Sequence, residues 1–190
     1  VNQLIVREKN RDRLLQRTCH LLIENRGYHN AWIALMDEGG TLATTVEAGL
    51  GEAFSPLVEK LSKGELTRCG KQVLEEGGIT VNQTPSVTCS DCPLAEHYTG
   101  RGGMAVRLEH ENQIYGLLCA SIPSQLVVDI EEQQLLQEVG DDLAFALHNM
   151  KQEEKRKKTE DTLQKHSHSL EQAESLAHLG YFERNWQTGE

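Results

Sequence analysis

The sequence predicts an α+β domain: a central, mainly antiparallel sheet flanked by helices and closed by a long C-terminal helix. Three observations predict it. Ala31–Met36 and Thr41–Ala48 form an apolar run and a β-branched run on either side of Asp37-Glu38-Gly39-Gly40, a hairpin pattern. Met104, Val106 and Leu108 alternate with Ala105, Arg107 and Glu109, and the apolar run Ile114–Ile122 follows after a short polar turn at His110–Gln113. A helical stripe then begins at Asp129. Strands grouped together with helices segregated from them are the α+β signature, distinct from the regular alternation that builds a parallel sheet.

Along the chain, residues 3–26 read as a helix, with Leu14, Leu15, Thr18, Leu21 and Leu22 at helical spacing and Gly27 placed to end it in the left-handed conformation. Its first part, Arg7–Arg13, is almost wholly polar and reads as the continuation of an upstream helix or as a partner-facing segment. After the hairpin, Phe54, Leu57, Val58 and Leu61, and then Leu66, Val73 and Leu74, are spaced for two short amphipathic helices separated near Gly64 and stopped by Gly77-Gly78. Ile79–Val81 is a short strand. Asn82–Arg101 has no periodicity and is rich in Pro, Ser, Thr, Cys and Gly; a connection that long inside a compact domain is usually functional. Leu136, Val139, Leu143, Leu147 and Met150 continue the final helix as a stripe able to cover the sheet. Lys151–Thr162 is polar throughout but keeps helix-supporting pairs such as Glu153 with Lys157. Leu163, Leu170 and Ala177 then fall seven apart, as in a short coiled coil. Past Leu179 the chain turns aromatic and strand-like, as at the opening of another domain.

Composition excludes several classes of function. Lys and Arg number 19 against 29 Asp and Glu, a formal charge of −10, which disfavours nucleic acid as a partner because that affinity comes from cations on phosphates. No apolar run approaches the ~20 residues of a spanning helix, and no secretory signal is present, so the segment reads as cytoplasmic with no membrane partner. The 5 cysteines are an odd count and suit reduced thiols better than a disulfide scaffold. Val1 at one end and Gly189-Glu190 at the other read as a piece of a longer protein.

The sharpest chemical feature is Cys89-x-x-Cys92-Pro93. Two thiols at that spacing in an exposed loop can close a disulfide or supply half of a tetrahedral metal site, for which Cys69, Cys119, His97 and His110 are the nearest further donors. Cys69 and Cys119 read otherwise as small core residues. His97, Tyr98 and Arg101 follow closely, with groups able to hold an anion or an aromatic ligand. Cys89, Cys92, His97, Tyr98 and Arg101 are therefore the candidate ligand-binding or redox residues; the metal and the cofactor are left open, and no catalytic residue is assigned.

Gly27-Tyr28 with Ala31–Leu35, then Cys89–Leu94 through Tyr98–Arg101, Met104 through Glu109, Tyr115–Leu118, and Asp129 through Asp142–Leu147 together resemble a GAF domain, similar to those of bacterial and archaeal multi-sensor histidine kinases. Ala177–Phe182 with Trp186–Glu190 resembles the first strand of a PAS domain. The resemblance implies an N-terminal signalling helix over 1–26, a GAF sensor over 27–150, a helical linker over 151–178 and a PAS start over 179–190. It further implies a non-catalytic module that binds a small molecule or senses redox state under the Asn82–Arg101 loop. Such a module would relay the change through its C-terminal helix, as a homodimer joined by the terminal helices, to downstream PAS and kinase domains.

The signature of cyclic-nucleotide-binding members is missing. Cys19-His20 lies in the first helix rather than where bilin-binding members carry such a pair, and no motif fixes a haem. Kinase motifs are also missing, with His166 and His168 outside any phosphoacceptor box. Two alternatives stand beside the sensor: a free methionine sulfoxide reductase of GAF-like fold, with Cys89, Cys92 and Cys119 as its thiols, and a ligandless dimerising spacer.

Overall fold

The computed structural model describes residues 8–188, with side chains described to residue 175. Helix α1 (Arg11–Arg26) begins where Asn10 Oδ1 accepts the Arg13 N–H at 2.9 Å and ends at Gly27, whose φ of 69° lets its N–H reach the carbonyls of Ile23 and Leu22. The expected unbroken helix over 3–26 is corrected at residues 8–10, where Asn10 is extended and caps the helix; residues 3–7 lie outside the described residues.

Five strands follow: β1 (Asn30–Met36), β2 (Leu42–Ala48), β3 (Ile79–Asn82), β4 (Arg101–His110) and β5 (Gln113–Pro123). They form one antiparallel sheet in the order β2-β1-β5-β4-β3. Glu111 and Asn112, with φ of 48° and 61°, form the two-residue turn between β4 and β5, the left-handed pair that matches the twist of a hairpin. β4 is more deeply buried than its alternation predicts, because both faces of the sheet are covered: Met104, Ala105, Val106 and Leu108 are all buried.

The register sorts the sheet into rows. Val106, Leu118 and Ile33 are cross-strand neighbours on one face, and Gly140 of helix α5 (Ile130–Thr188) sits against Val106 there. α1 packs along β1 and β2, and its Arg26 pairs with Glu132 of α5 at 2.5 Å, which places both long helices on that face. Tyr28 Oη donates to the other Glu132 oxygen at 3.0 Å. The neighbouring row, Thr80–Ala105–Cys119–Trp32, points to the opposite face. There α2 (Ser55–Ser62) and α3 (Arg68–Glu76) bury Leu57, Leu61 and Val73 against Trp32, Ala34, Leu117 and Cys119. The segment after β3, expected as an unstructured loop, contains a helical turn α4 (Pro85–Thr88) and a 3-10 turn at Ala95–Tyr98, and it covers the remainder of that face.

α5 belongs to two units. Through His148 it is part of the folded domain, with Leu136, Val139, Leu143, Ala144 and Leu147 buried as expected. From Asn149 it forms a unit by itself, and residues 152–175 are exposed. Arg156 bridges Glu153 and Glu160 at 2.8 and 2.6 Å, the i,i+3 and i,i+4 pairing that keeps a polar helix helical. Leu163 and Leu170, the expected coiled-coil positions, are exposed. The helix continues through Gly180–Trp186, which the sequence reads as strand. The described residues offer that segment no strand to pair with, and a helix satisfies its backbone internally. Among the described residues no helix is long and apolar enough to cross a membrane.

Candidate functional site

Four of the five cysteines meet on the sheet face opposite α5. Cys69, Cys89, Cys92 and Cys119 line one cavity of about 40 Å³, closed below by Trp32, Ala105 and Ala120 and above by Pro85, Ala95 and Tyr98. By volume this holds a few waters, far short of the ~300–1,000 Å³ of pockets that take drug-sized ligands or cofactors.

Local chemistry places each thiol. Thr67 caps α3, its Oγ1 accepting the Gly70 N–H at 3.3 Å, so Cys69 lies in the first turn of the helix with its Sγ 3.3 Å from Thr67 Oγ1. Asn82 at the end of β3 organises the cover: its Nδ2 contacts Thr88 Oγ1 at 2.7 Å and donates to Cys89 Sγ at 3.1 Å, while its Oδ1 accepts the Thr84 N–H at 3.1 Å. Cys92 follows in a turn, its N–H donating to the Cys89 carbonyl at 2.9 Å. Asp91 ties the cover to its neighbours, accepting the Arg68 N–H on its carboxylate at 3.1 Å and Lys60 Nζ on its carbonyl at 3.0 Å. Cys119 comes from the central strand, paired in register with Trp32 and Ala105.

The thiols are not equivalent. The neighbouring Cys89 thiol, with support from Thr67 and the Gly70 N–H, lowers the Cys69 pKa to about 6. The same pairing pushes Cys89 up, with burial adding to it. Burial raises Cys92 to about 11 and Cys119 well above the ordinary thiol value. Cys69 is therefore the cavity cysteine whose surroundings favour the thiolate, while those of Cys89, Cys92 and Cys119 favour the thiol.

Buried polar atoms on β1 and β5 beyond the cavity are under-satisfied. Tyr98 Oη donates to Asn30 Oδ1 at 3.5 Å, and Trp32 Nε1 lies close to it without a hydrogen bond of good geometry. Asn30 Nδ2 and Ser121 Oγ, neighbours across β1 and β5, are buried without partners among the described residues. Among the described residues no group of three or more His, Cys, Asp or Glu is placed to hold a metal ion.

The family model of the GAF domain matches residues 8–148. The chain belongs to the GAF domain family. Its fold is shared with the GAF domain of a phosphoenolpyruvate-protein phosphotransferase from Coxiella burnetii, at 17% identity and a TM-score of 0.65, covering 80% of this chain and 90% of that one. A domain of a putative two-component sensor histidine kinase protein from Sinorhizobium meliloti 1021 aligns at 16% identity and a TM-score of 0.60, over 77% of this chain and 96% of that one. Free methionine-R-sulfoxide reductase from Neisseria meningitidis, in complex with its substrate, aligns at 17% identity and a TM-score of 0.54, over 80% and 86%. No curated protein matches the sequence.

Within this GAF domain the five expected site residues separate. Cys89, Cys92 and Tyr98 line the cavity. His97 is exposed, because the 3-10 turn that directs Tyr98 inward carries its neighbour outward. Arg101, at the start of β4, does not line the cavity and lies by His29, whose pKa is lowered by burial and then by the Arg101 charge. The expected exposure of the cysteine pair is also corrected: Cys89 is buried and Cys92 half-buried, because the cover folds down onto the sheet. Cys119 is a buried core residue as expected and also lines the cavity, and Cys69, expected in the core, is half-buried and lines it too. A signal for Cys69 was present in Thr67-Arg68-Cys69-Gly70, where a helix cap two residues ahead of a cysteine places its sulfur at the helix N-terminus. For Asn82 no local signal exists.

Proposed function

We propose that this GAF domain is a non-catalytic sensory module of a signal-transduction protein, reading a small molecule or the redox state in the cysteine-lined cavity and relaying it through α5. The observation that carries the reading is the position of the cavity: Ala105 lines it, and the adjacent Val106 supports Gly140 of α5 on the other side of one sheet. A change above Ala105 is therefore one residue from the relay helix, and a population shift between two packings of α5 is the mechanism it supports. The parent protein we infer is a histidine kinase, with the fold of the S. meliloti domain in support. Homodimerisation would run through the terminal helices, where Leu163 and Leu170 remain unpartnered at heptad spacing within the described chain, and a PAS domain would follow.

A melting-temperature screen of the intact chain against small molecules, and under oxidant and reductant, tests this reading. At least one condition moves Tm by several degrees, and Ala105→Leu, which fills the cavity, cancels the effect. A Tm indifferent to every ligand and to redox state would overturn the sensory reading in favour of the ligandless spacer.

A second reading, a free methionine sulfoxide reductase, is favoured by the four cysteines gathered at one cavity and by the fold shared with the N. meningitidis enzyme. Turnover of free methionine sulfoxide in a thioredoxin-coupled assay would establish it, and its absence leaves the sensor.

A further inference from the structure

We propose that Cys69 and Cys89, and not the CxxC pair Cys89 and Cys92, form a redox couple in which Cys69 is the attacking sulfur, Cys89 the resolving one, and a small hydroperoxide the oxidant. The proposal rests on the redox arm of the sensory reading and deepens it by naming the pair and the class of signal.

Four observations converge on it. Cys69 is held at the first turn of α3, where Thr67 and the Gly70 N–H can stabilise a sulfur anion, and it is half-buried, so solvent reaches it. Cys89 lines the same cavity as Cys69, and Asn82 Nδ2 at the end of β3 holds its Sγ by a hydrogen bond of 3.1 Å. Cys92 packs at the edge of the apolar cluster, whereas Cys89 is held at the cavity by Asn82. Finally, a cavity of about 40 Å³ admits a molecule the size of hydrogen peroxide and excludes bulky oxidants.

The reaction balances. The Cys69 thiolate attacks the hydroperoxide; an S–O bond forms, the O–O bond breaks, and the departing oxygen takes a proton from solvent and leaves as water or an alcohol. Cys69 is then a sulfenic acid. Cys89 sulfur attacks Cys69 sulfur, the S–S bond forms, the S–O bond breaks, and the hydroxyl leaves as water with the Cys89 proton. Two thiols lose two electrons to one hydroperoxide, and an external dithiol returns them.

The thiolate fraction and the opposing loss of nucleophilicity together make Cys69 on the order of tens-fold faster than Cys92 at neutral pH. The sequence supplies a clean readout: trypsin releases Cys69 in the tripeptide Cys69–Lys71, and Cys89 and Cys92 together in Gln72–Arg101. The reduced full chain is treated with one equivalent of hydrogen peroxide at pH 7, alkylated, digested and fragmented in the mass spectrometer. The expected product is Cys69–Lys71 linked through Cys89, with Cys92 alkylated. Cys89→Ser leaves Cys69 as a sulfenic acid trapped by dimedone, whereas Cys92→Ser changes nothing. An internal Cys89–Cys92 disulfide, or a Cys69 that stays alkylatable while other thiols are lost, would overturn the proposal. A Cys69–Cys89 link that leaves Tm unchanged supports the pair and counts against the sensory reading, so the two fail separately.

Discussion

Gly140 to Ala is the substitution that most directly examines how α5 is seated. A Cβ at 140 would stand 2.5 Å from Val106 Cγ1, 3.4 Å from Val106 Cβ and 3.7 Å from Leu108 Cδ2. Carbon atoms pack at about 3.5–4.0 Å, so the helix or Val106 must yield by roughly 1 Å. Overpacking of that kind costs about 1–3 kcal/mol, against which alanine returns about 1 kcal/mol of helix propensity, for a net loss near 1 kcal/mol. Val106→Ala alone removes two fully buried methyl groups, about 2–3 kcal/mol with the cavity included. In the double variant the new Cβ fills part of the space left by Cγ1 and the propensity gain survives. The pair should therefore be more stable than the sum of the singles by about 1–3 kcal/mol. Urea unfolding followed by far-ultraviolet circular dichroism measures this, provided the slope m is shared by all four proteins. Additivity within about 0.5 kcal/mol would show that Gly140 is not seated on Val106, and the route from the cavity to α5 would fall with it.

Further perturbations address other joints. Gly116, with φ of 147°, would place a Cβ 2.0 Å from the Ala34 carbonyl oxygen, so Gly116→Ala should separate β5 from β1, cost more than about 4 kcal/mol and leave little soluble protein on expression; a folded variant of wild-type stability would contradict the register. Tyr28→Phe deletes the bond to Glu132 while Arg26 keeps its own, an expected loss of about 1–2 kcal/mol in chemical denaturation. The pH dependence has two limbs in reductant. Burial raises Cys19 to about 12, Cys92 to about 11 and Cys119 above its ordinary value, so from pH 9 upward the unfolded chain sheds these protons first and Tm should fall. Cys69 has the opposite sign: held near 6 when folded against 9.0 otherwise, it adds stability as pH rises from 6 to 9 and loses it on acidification. A Tm that rises between pH 9 and 11 would contradict the burial of the three thiols.

The sheet and its long helix were legible because each rests on a local period. Ala31–Ala48 carries its hairpin in a turn of Asp and Gly, and Leu136–Leu147 carries the face of α5 in three- and four-residue steps. The long loop showed itself by lacking any period, and within it Cys89, Cys92 and Tyr98 do face the cavity. What brings Cys69 to Cys89 could not be read. The two lie on elements separated by β3, and their meeting depends on Asn82 side-chain bonds that have no sequence period. His97 and Arg101 do not line the cavity: the 3-10 turn that sends Tyr98 inward carries His97 outward, and Arg101 lies beyond that turn at the start of β4. Cys119 was hidden by a strand buried on both faces, where cavity-facing and helix-facing residues are alike apolar.

In the proposed relay, chemistry on one face of this sheet is felt by the helix on the other. Amide hydrogen exchange of residues 130–148, compared between the fully reduced chain and the chain oxidised by one equivalent of hydrogen peroxide, tests it directly. Protection at Val139, Gly140 and Leu143 should change by about tenfold or more, and not in Cys69→Ser. Exchange that is identical along α5 in an oxidised chain whose cavity cysteines have reacted would contradict it.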